Sequence, residues 1–67
     1  MNQYVTGTII QILRGKKGIT QKVLGEQLSV SDKTISKWET GRGFPDISLL
    51  EPLAAALQVS VAELLAG

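Results

Sequence analysis

The sequence predicts an all-α fold of five short helices in a single domain, residues 1–67. Three observations lead to this prediction. Apolar residues recur at spacings of three and four in several segments, polar capping residues precede those segments, and no stretch alternates long enough for a strand. Because a chain of 67 residues without cysteine has no disulfides, packed aliphatic side chains must stabilise this small core.

The first predicted helix runs from about Tyr4 to Arg14. Its apolar side chains form a wide stripe at helical spacing: Val5, Ile9, Ile10, Ile12 and Leu13. Gly15 and Gly18 weaken the end of this helix, where Lys16 and Lys17 complement the negative end of the helix dipole.

The second predicted helix, Gln21 to Leu28, begins after the capping residue Thr20 and directs Leu24 and Leu28 inward. Gly25 lies in the middle of this helix, where glycine costs about 1 kcal/mol relative to alanine. The glycine therefore predicts close approach by another helix, which a side chain would prevent.

The third predicted helix, Asp32 to Trp38, begins after the N-cap residue Ser31. Only Ile35 and Trp38 form its buried stripe. At 100° per residue, Lys33 points almost directly away from that stripe. Two more polar side chains flank Lys33 on the same side: Ser36 and Lys37.

Two capping boxes predict the starts of the last two helices. The fourth helix begins near Asp46 or Ser48 and reaches Leu57, and a capping box of Ser48 with Glu51 favours the later start. That start also brings Pro52 nearer to the first turn, where proline is tolerated. The fifth helix, Val61 to about Ala66, follows a second capping box, Ser60 with Glu63.

Composition argues against several functional classes. The chain has no histidine and no cysteine, and its six acidic residues are scattered. No general acid–base set or metal site is evident, so we expect neither an enzyme nor a cofactor. No apolar run is long enough to span a bilayer and no signal-peptide pattern opens the chain, so a soluble cytoplasmic domain is expected.

The charges are divided unevenly along the chain. Residues 1–42 contain seven basic and three acidic residues, a net charge of +4, whereas residues 43–67 contain three acidic and no basic residues, a net charge of −3. One cationic end favours a polyanionic partner. Chance segregation of solvated charges is the alternative.

The stretch "TQKVLGEQLSVSDKTISKWETG" has the features of a helix-turn-helix formed by the second and third helices. Its two helices are joined by a short turn, the first contains a small residue, and the second has a polar outer side. Such a second helix must bury enough to stay fixed while it presents several side chains to the DNA major groove.

At this point the chain resembles the lambda repressor/Cro-like (XRE) family of helix-turn-helix domains. The matching residues are "LRGKKGITQKVLGEQLSVSDKTISKWETGRGFP" and "LAAALQVSVAELL", and the resemblance extends from about Val5 to Leu65. It implies a compact five-helix, lambda-repressor-like bundle that binds DNA sequence-specifically in transcriptional control.

The resemblance also implies roles for individual residues. Arg14 and Glu39 match a structural ion pair between the first helix and the end of the third. Gln21 matches a glutamine that contacts phosphate and braces the recognition helix. The positions expected to contact bases are Asp32, Lys33, Ser36 and Lys37. The positions expected to contact phosphate are Lys17, Gln21, Lys22, Ser31, Thr34, Thr40 and Arg42.

The main hypothesis is therefore the DNA-binding domain of a transcription regulator. It acts as a homodimer on a palindromic operator, with half-sites about 34 Å apart. The alternative is a protein-interaction module of the same fold, antitoxin-like or a partner of another regulator, with little operator recognition. No small-molecule site is evident, and we expect the chain to be the N-terminal fragment of a longer regulator.

Overall fold

A computed structural model describes residues 2–65, and these form five α-helices. The helices are α1 Gln3–Lys17, α2 Gln21–Leu28, α3 Asp32–Glu39, α4 Ile47–Leu57 and α5 Val61–Leu64. Within this part of the chain there is no strand, which confirms the all-α prediction. None of the five helices has both the length and the apolar character that a membrane crossing requires.

Three of the predicted caps are present. The Thr20 hydroxyl accepts the Val23 N–H at 3.0 Å, and the Ser31 hydroxyl accepts the Thr34 N–H at 3.1 Å. Ser60 forms the predicted capping box at the start of α5. The bond from the Ser60 N–H lowers the pKa of the carboxyl group in that box, Glu63.

The predicted end of α1 at Arg14 was wrong. α1 continues through Gly15 to Lys17 and stops at Gly18, which adopts a left-handed conformation with φ 69°. A glycine within a helix is tolerated when the neighbouring residues propagate it, and the left-handed residue ends it. α5 stops at Leu64, and the predicted end at Ala66 lies outside the described residues.

The predicted capping box at the start of α4 was also wrong. The Asp46 carboxylate accepts the Ser48 N–H at 3.1 Å, so the helix begins at Ile47 and Pro52 lies inside it. A proline at this position deprives the Ser48 carbonyl of its helical donor. Both Ser48 and Pro52 are exposed, and the carbonyl can therefore be solvated.

The core combines residues from all five helices. Its fully packed members are Ile10, Leu24, Leu28, Ile35, Trp38, Leu50, Leu53, Ala54, Leu57 and Leu64. Val5 and Ile12, which the sequence assigned to the buried stripe of α1, are 40% and 52% exposed. The buried side of α1 is centred on Thr6, Gly7 and Ile10, so only part of the predicted stripe is covered.

Two glycines allow backbone to approach backbone. A Cβ atom at Gly7 would overlap the carbonyl oxygen of Trp38, so α1 lies directly against the last turn of α3. A Cβ atom at Gly25 would lie 2.6 Å from the carbonyl oxygen of Val30. The close approach predicted for Gly25 is therefore present, although its partner is the α2–α3 turn and not another helix.

Replacing Gly7 by alanine is expected to lower the free energy of unfolding by roughly 1–3 kcal/mol, because α1 must move away from α3. Gly15 provides a matched control on the same helix, since a Cβ atom there would meet nothing within 4 Å. Gly15→Ala should raise stability by about 0.5–1 kcal/mol through helix propensity. Urea denaturation measures both changes, and similar effects for the two variants would contradict the close contact.

Thr6 is also expected to respond unusually to substitution. Its hydroxyl oxygen is buried and has no hydrogen-bond partner among the described residues. Thr6→Val removes this polar atom while keeping nearly the same shape, so stability should rise by about 1 kcal/mol. Thr8→Val is the control, because the exposed Thr8 hydroxyl donates to the Tyr4 carbonyl. A loss of stability in Thr6→Val would contradict the unpartnered hydroxyl.

Candidate nucleic-acid interface

A tight turn, residues 29–31, sets the angle between α2 and α3. Ser29 adopts a left-handed conformation with φ 60° and ends α2. The Val30 N–H then donates to the Gly25 carbonyl at 2.9 Å, which folds the turn back onto α2. Because Gly25 has no side chain, the turn can pack against the helix at this point. Ser31 caps α3 immediately afterwards, so only residues 29–31 separate the two helices.

The two sides of α3 have opposite environments. Ile35, Trp38 and Glu39 are buried against the rest of the domain. Lys33 and Lys37 are exposed, in agreement with the orientation that the helical spacing predicts. Within residues 2–65 neither lysine forms an ion pair. Both ammonium groups are therefore available to a partner molecule.

The last turn of α3 is tied to α1 and α2 by a cluster of polar side chains. Arg14 forms an ion pair with Glu39, with Nε 2.6 Å from Oε2 and Nη2 3.1 Å from Oε1. Gln21 donates its side-chain amide to the same carboxylate at 3.0 Å. Arg14 also donates from Nη1 to the Ile19 carbonyl at 2.9 Å, which connects the cluster to the α1–α2 linker. Gln21 thus has the bracing position that the family resemblance implies.

The buried carboxylate of this cluster is paired with a cation that is itself mostly buried. The Glu39 side chain is only 2% exposed and the Arg14 side chain is 18% exposed. The hydrogen bonds to Glu39 raise the pKa of Arg14, and they therefore favour the charged form of the guanidinium. The pair therefore contributes no net charge to the surface beside α3.

The hydroxyl groups near the start of α3 are already engaged within the chain. The Ser31 and Thr34 hydroxyl oxygens lie 3.0 Å apart in a hydrogen bond, and the Ser31 oxygen also caps the helix. Ser36 is half-buried and Asp32 is exposed in the first turn. The structure thus brings Ser31 and Thr34 together at one end of the exposed side of α3.

The loop after α3 is held by its own hydrogen bonds. Thr40 donates its hydroxyl to the Ser36 carbonyl at 2.8 Å and accepts the Arg42 Nε–H at 3.2 Å. Gly41 adopts a left-handed conformation with φ 74°. Arg42 is exposed, so the loop presents a cation beside the end of α3.

Two residues that support this loop were not identified from the sequence. Gln3 donates its side-chain amide to the Gly41 carbonyl at 2.8 Å, and the ring of Tyr4 lies directly against Gly41. Both contacts join residues almost 40 positions apart, and no local motif indicates such a pair.

Lys17 and Lys22 lie outside α3 and its loop. Lys17 ends α1 and Lys22 is in the first turn of α2. Both are exposed, and in the described part of the chain no hydrogen bond or ion pair connects them to α3 or its loop. Their position is compatible with attraction of phosphates, and it defines no specific contact.

The short turn between α2 and α3, the buried side of α3 and its exposed polar side together define a helix-turn-helix domain. A family model described as helix-turn-helix matches residues 10–64. The chain belongs to this family, the lambda repressor/Cro-like domains of DNA-binding transcription regulators.

Individual relatives agree with this assignment. This chain is 45% identical to the HTH-type transcriptional activator BcrR from Enterococcus faecalis over 58 residues. Those residues are 87% of this chain and only 28% of the length of BcrR. The P22 c2 repressor in complex with a synthetic operator superimposes with a TM-score of 0.86 at 38% identity, over 90% of this chain and 91% of that chain. The clp gene regulator ClgR from Corynebacterium glutamicum matches with a TM-score of 0.90 at 32% identity, over 98% of this chain and 70% of that chain.

The polar cluster leads to a stability prediction. Glu39→Gln leaves the half-buried Arg14 guanidinium without a counter-charge, so the free energy of unfolding should fall by about 2–4 kcal/mol. The control Glu51→Gln, on the exposed side of α4, should change stability by less than about 0.5 kcal/mol. The measurement is chemical denaturation.

A double variant separates the loss of the ion pair from the cost of leaving one charge unpaired. Arg14→Met combined with Glu39→Met removes both charges and should recover part of the stability that Glu39→Gln loses, because no unpaired charge remains. If Glu39→Gln were as stable as the unmodified chain, the cluster would not hold α3 in place.

Proposed function

We propose that this domain recognises a specific double-stranded DNA sequence by placing α3 in the major groove. The observation that supports this most directly is the exposed side of α3, which carries Lys33 and Lys37 opposite the buried Ile35 and Trp38. The major groove admits one α-helix and presents a distinct pattern of donors and acceptors for each base pair. The similar P22 c2 repressor forms a complex with a synthetic operator, which supports DNA as the partner of this domain.

The chemistry of the exposed side chains suggests how bases are distinguished. Lys33 and Lys37 can donate to the O6 and N7 acceptors of guanine, and Asp32 can accept from the N4 amino group of cytosine. The Ser36 hydroxyl can donate or accept. A carboxylate among phosphates is repelled unless it finds a donor, so Asp32 should contribute mainly by rejecting incorrect sites.

Phosphate contacts position the domain on the duplex. We assign them to the amide of Gln21, to the hydroxyl of whichever of Ser31 and Thr34 does not donate to the other, and to the guanidinium of Arg42. Lys17 and Lys22 add longer-range attraction to the backbone. Such contacts carry no sequence information directly, but they fix the orientation from which α3 reads the bases.

We further propose that two copies of the domain bind one operator. A net charge of +1 is small for a DNA-binding domain, and phosphate contacts provide much of the affinity for DNA. A single copy should therefore bind weakly, whereas two copies on half-sites one helical turn apart combine their contacts. The operator would then be an inverted repeat.

The role assigned to the domain is binding alone. We propose no reaction for it, because the exposed side of α3 offers lysines, a carboxylate and hydroxyls suited to base edges. We also propose a cytoplasmic site of action, because the similar activator BcrR comes from a bacterium, Enterococcus faecalis.

Lys33→Ala tests base recognition. The operator is first obtained by selecting bound sequences from a random duplex pool, and affinities are then measured for that duplex and for single-base variants of it. Lys33→Ala should lose about 1–3 kcal/mol on the selected duplex and should lose discrimination at one base pair of each half-site. An equal loss of affinity on every duplex would mean that Lys33 contacts a phosphate and not a base.

Lys16→Ala is the matched control, because Lys16 is an exposed lysine at the end of α1 and away from α3. It should weaken binding slightly and without change in base preference. Affinity of the unmodified chain should also fall steeply as salt increases. If no duplex were bound saturably at low salt, the domain would instead be a protein-interaction module of the same fold.

A further inference from the structure

The hydrogen bonds of the loop after α3 assign a different role to Thr40 from the one that the family resemblance implies. We propose that Thr40 is a positioning residue that orients the Arg42 guanidinium toward a DNA phosphate, and that it does not contact phosphate itself. This inference depends on the DNA binding proposed above.

The hydroxyl of Thr40 has only one proton, and that proton is already used. It donates to the Ser36 carbonyl at 2.8 Å, with the Lys37 carbonyl next at 3.3 Å. A phosphate oxygen accepts hydrogen bonds and cannot donate one to the remaining lone pairs of the hydroxyl. A direct bond to phosphate would therefore break the bond to Ser36 and leave the end of α3 less well capped.

The lone pairs of the same hydroxyl hold Arg42. The Arg42 Nε–H donates to Thr40 Oγ1 at 3.2 Å, while the Arg42 backbone N–H donates to the Lys37 carbonyl at 2.9 Å. Arg42 is thus attached to the last turn of α3 at both its backbone and its side chain. A guanidinium has five N–H donors, and the four on the terminal nitrogens of Arg42 have no partner among residues 2–65, so they remain available for a phosphate.

This attachment connects two kinds of contact. The last turn of α3 carries Lys37, which we assign to base recognition, and the same turn holds Arg42 through Thr40. A phosphate bound by Arg42 would therefore fix α3 in the register from which Lys37 reaches a base. Because the hydrogen bond to Thr40 restricts the side chain of Arg42 before DNA binds, less conformational entropy is lost in the complex.

The loop backbone is fixed independently of Thr40. Gln3 bonds to the Gly41 carbonyl at 2.8 Å, and the left-handed Gly41 lies against the ring of Tyr4. Removing the Thr40 hydroxyl should consequently release the side chain of Arg42 without displacing the loop.

A double-mutant cycle tests this role. The variants are Thr40→Val, Arg42→Ala and their combination, with Thr40→Ser as the control that keeps the hydroxyl. Affinity is measured on the duplex selected from the random pool by the unmodified chain. Thr40→Val should weaken binding by about threefold to tenfold, Thr40→Ser by less than about twofold, and Thr40→Val should have almost no effect once Arg42 is alanine.

Salt dependence gives a second readout. Arg42→Ala removes a charged phosphate contact and should lower the slope of log affinity against log salt by about one. If Thr40 positions Arg42, Thr40→Val should lower this slope partway toward that of Arg42→Ala, although it removes no charge. A neutral hydroxyl that contacted phosphate directly would leave the slope unchanged.

Several outcomes would overturn the inference. The first is an equal loss of affinity when Thr40→Val is made in the unmodified chain and in Arg42→Ala. The second is a salt slope that Thr40→Val leaves unchanged, and the third is a normal affinity of Arg42→Ala. In each of these the unmodified chain still binds its selected duplex, so the proposed function survives. Failure of the unmodified chain to bind any duplex would overturn both.

Discussion

The buried carboxylate of Glu39 is the interaction on which the position of α3 depends. It accepts hydrogen bonds from Arg14 on α1 and from Gln21 on α2, so three helices meet at one side chain. The hydrophobic contribution of α3 is limited to Ile35 and Trp38, because its other residues are polar or charged. A recognition helix that buries so little needs a directional contact at its end, and a paired, hydrogen-bonded carboxylate provides one.

The small size of the domain is compensated by close contact between backbones. Gly7 brings α1 against the last turn of α3, and Gly25 brings the turn after α2 against α2 itself. Both contacts lie beside α3, where a larger side chain would either separate the helices or rotate α3. The glycines thus act on the orientation of the exposed lysines as well as on packing.

What the sequence predicts well is what depends on neighbours along the chain. The caps Thr20, Ser31 and Ser60 and the orientation of Lys33 follow from helical spacing and local hydrogen bonding, and the structure agrees with them. The cap of α4 was missed because Asp46 and Ser48 are both good capping residues. The exposure of Ile12 was missed because an apolar stripe does not show how much of it is covered.

The ion pair of Arg14 was expected only from the family resemblance, and the contact of Gln3 with the loop depends on folding and leaves no local signal. The DNA contacts themselves remain predictions, since the described residues show exposure and geometry but no bound duplex.

Because the net charge of the domain is small, recognition of an operator depends more on the rigid placement of α3 and the Arg42 loop than on attraction to phosphates. Sequence-independent binding to DNA increases with the number of phosphates that a protein neutralises. Here one of the seven basic residues, Arg14, is paired internally, and the negative charge of Asp32 opposes the exposed lysines of α3. Binding to random DNA should therefore be weak, and preference for an operator must come from contacts that form together only at the correct sequence. Such contacts add up only if α3 and the Arg42 loop keep a fixed relative position, which is what the hydrogen bonds around Glu39 and Thr40 provide.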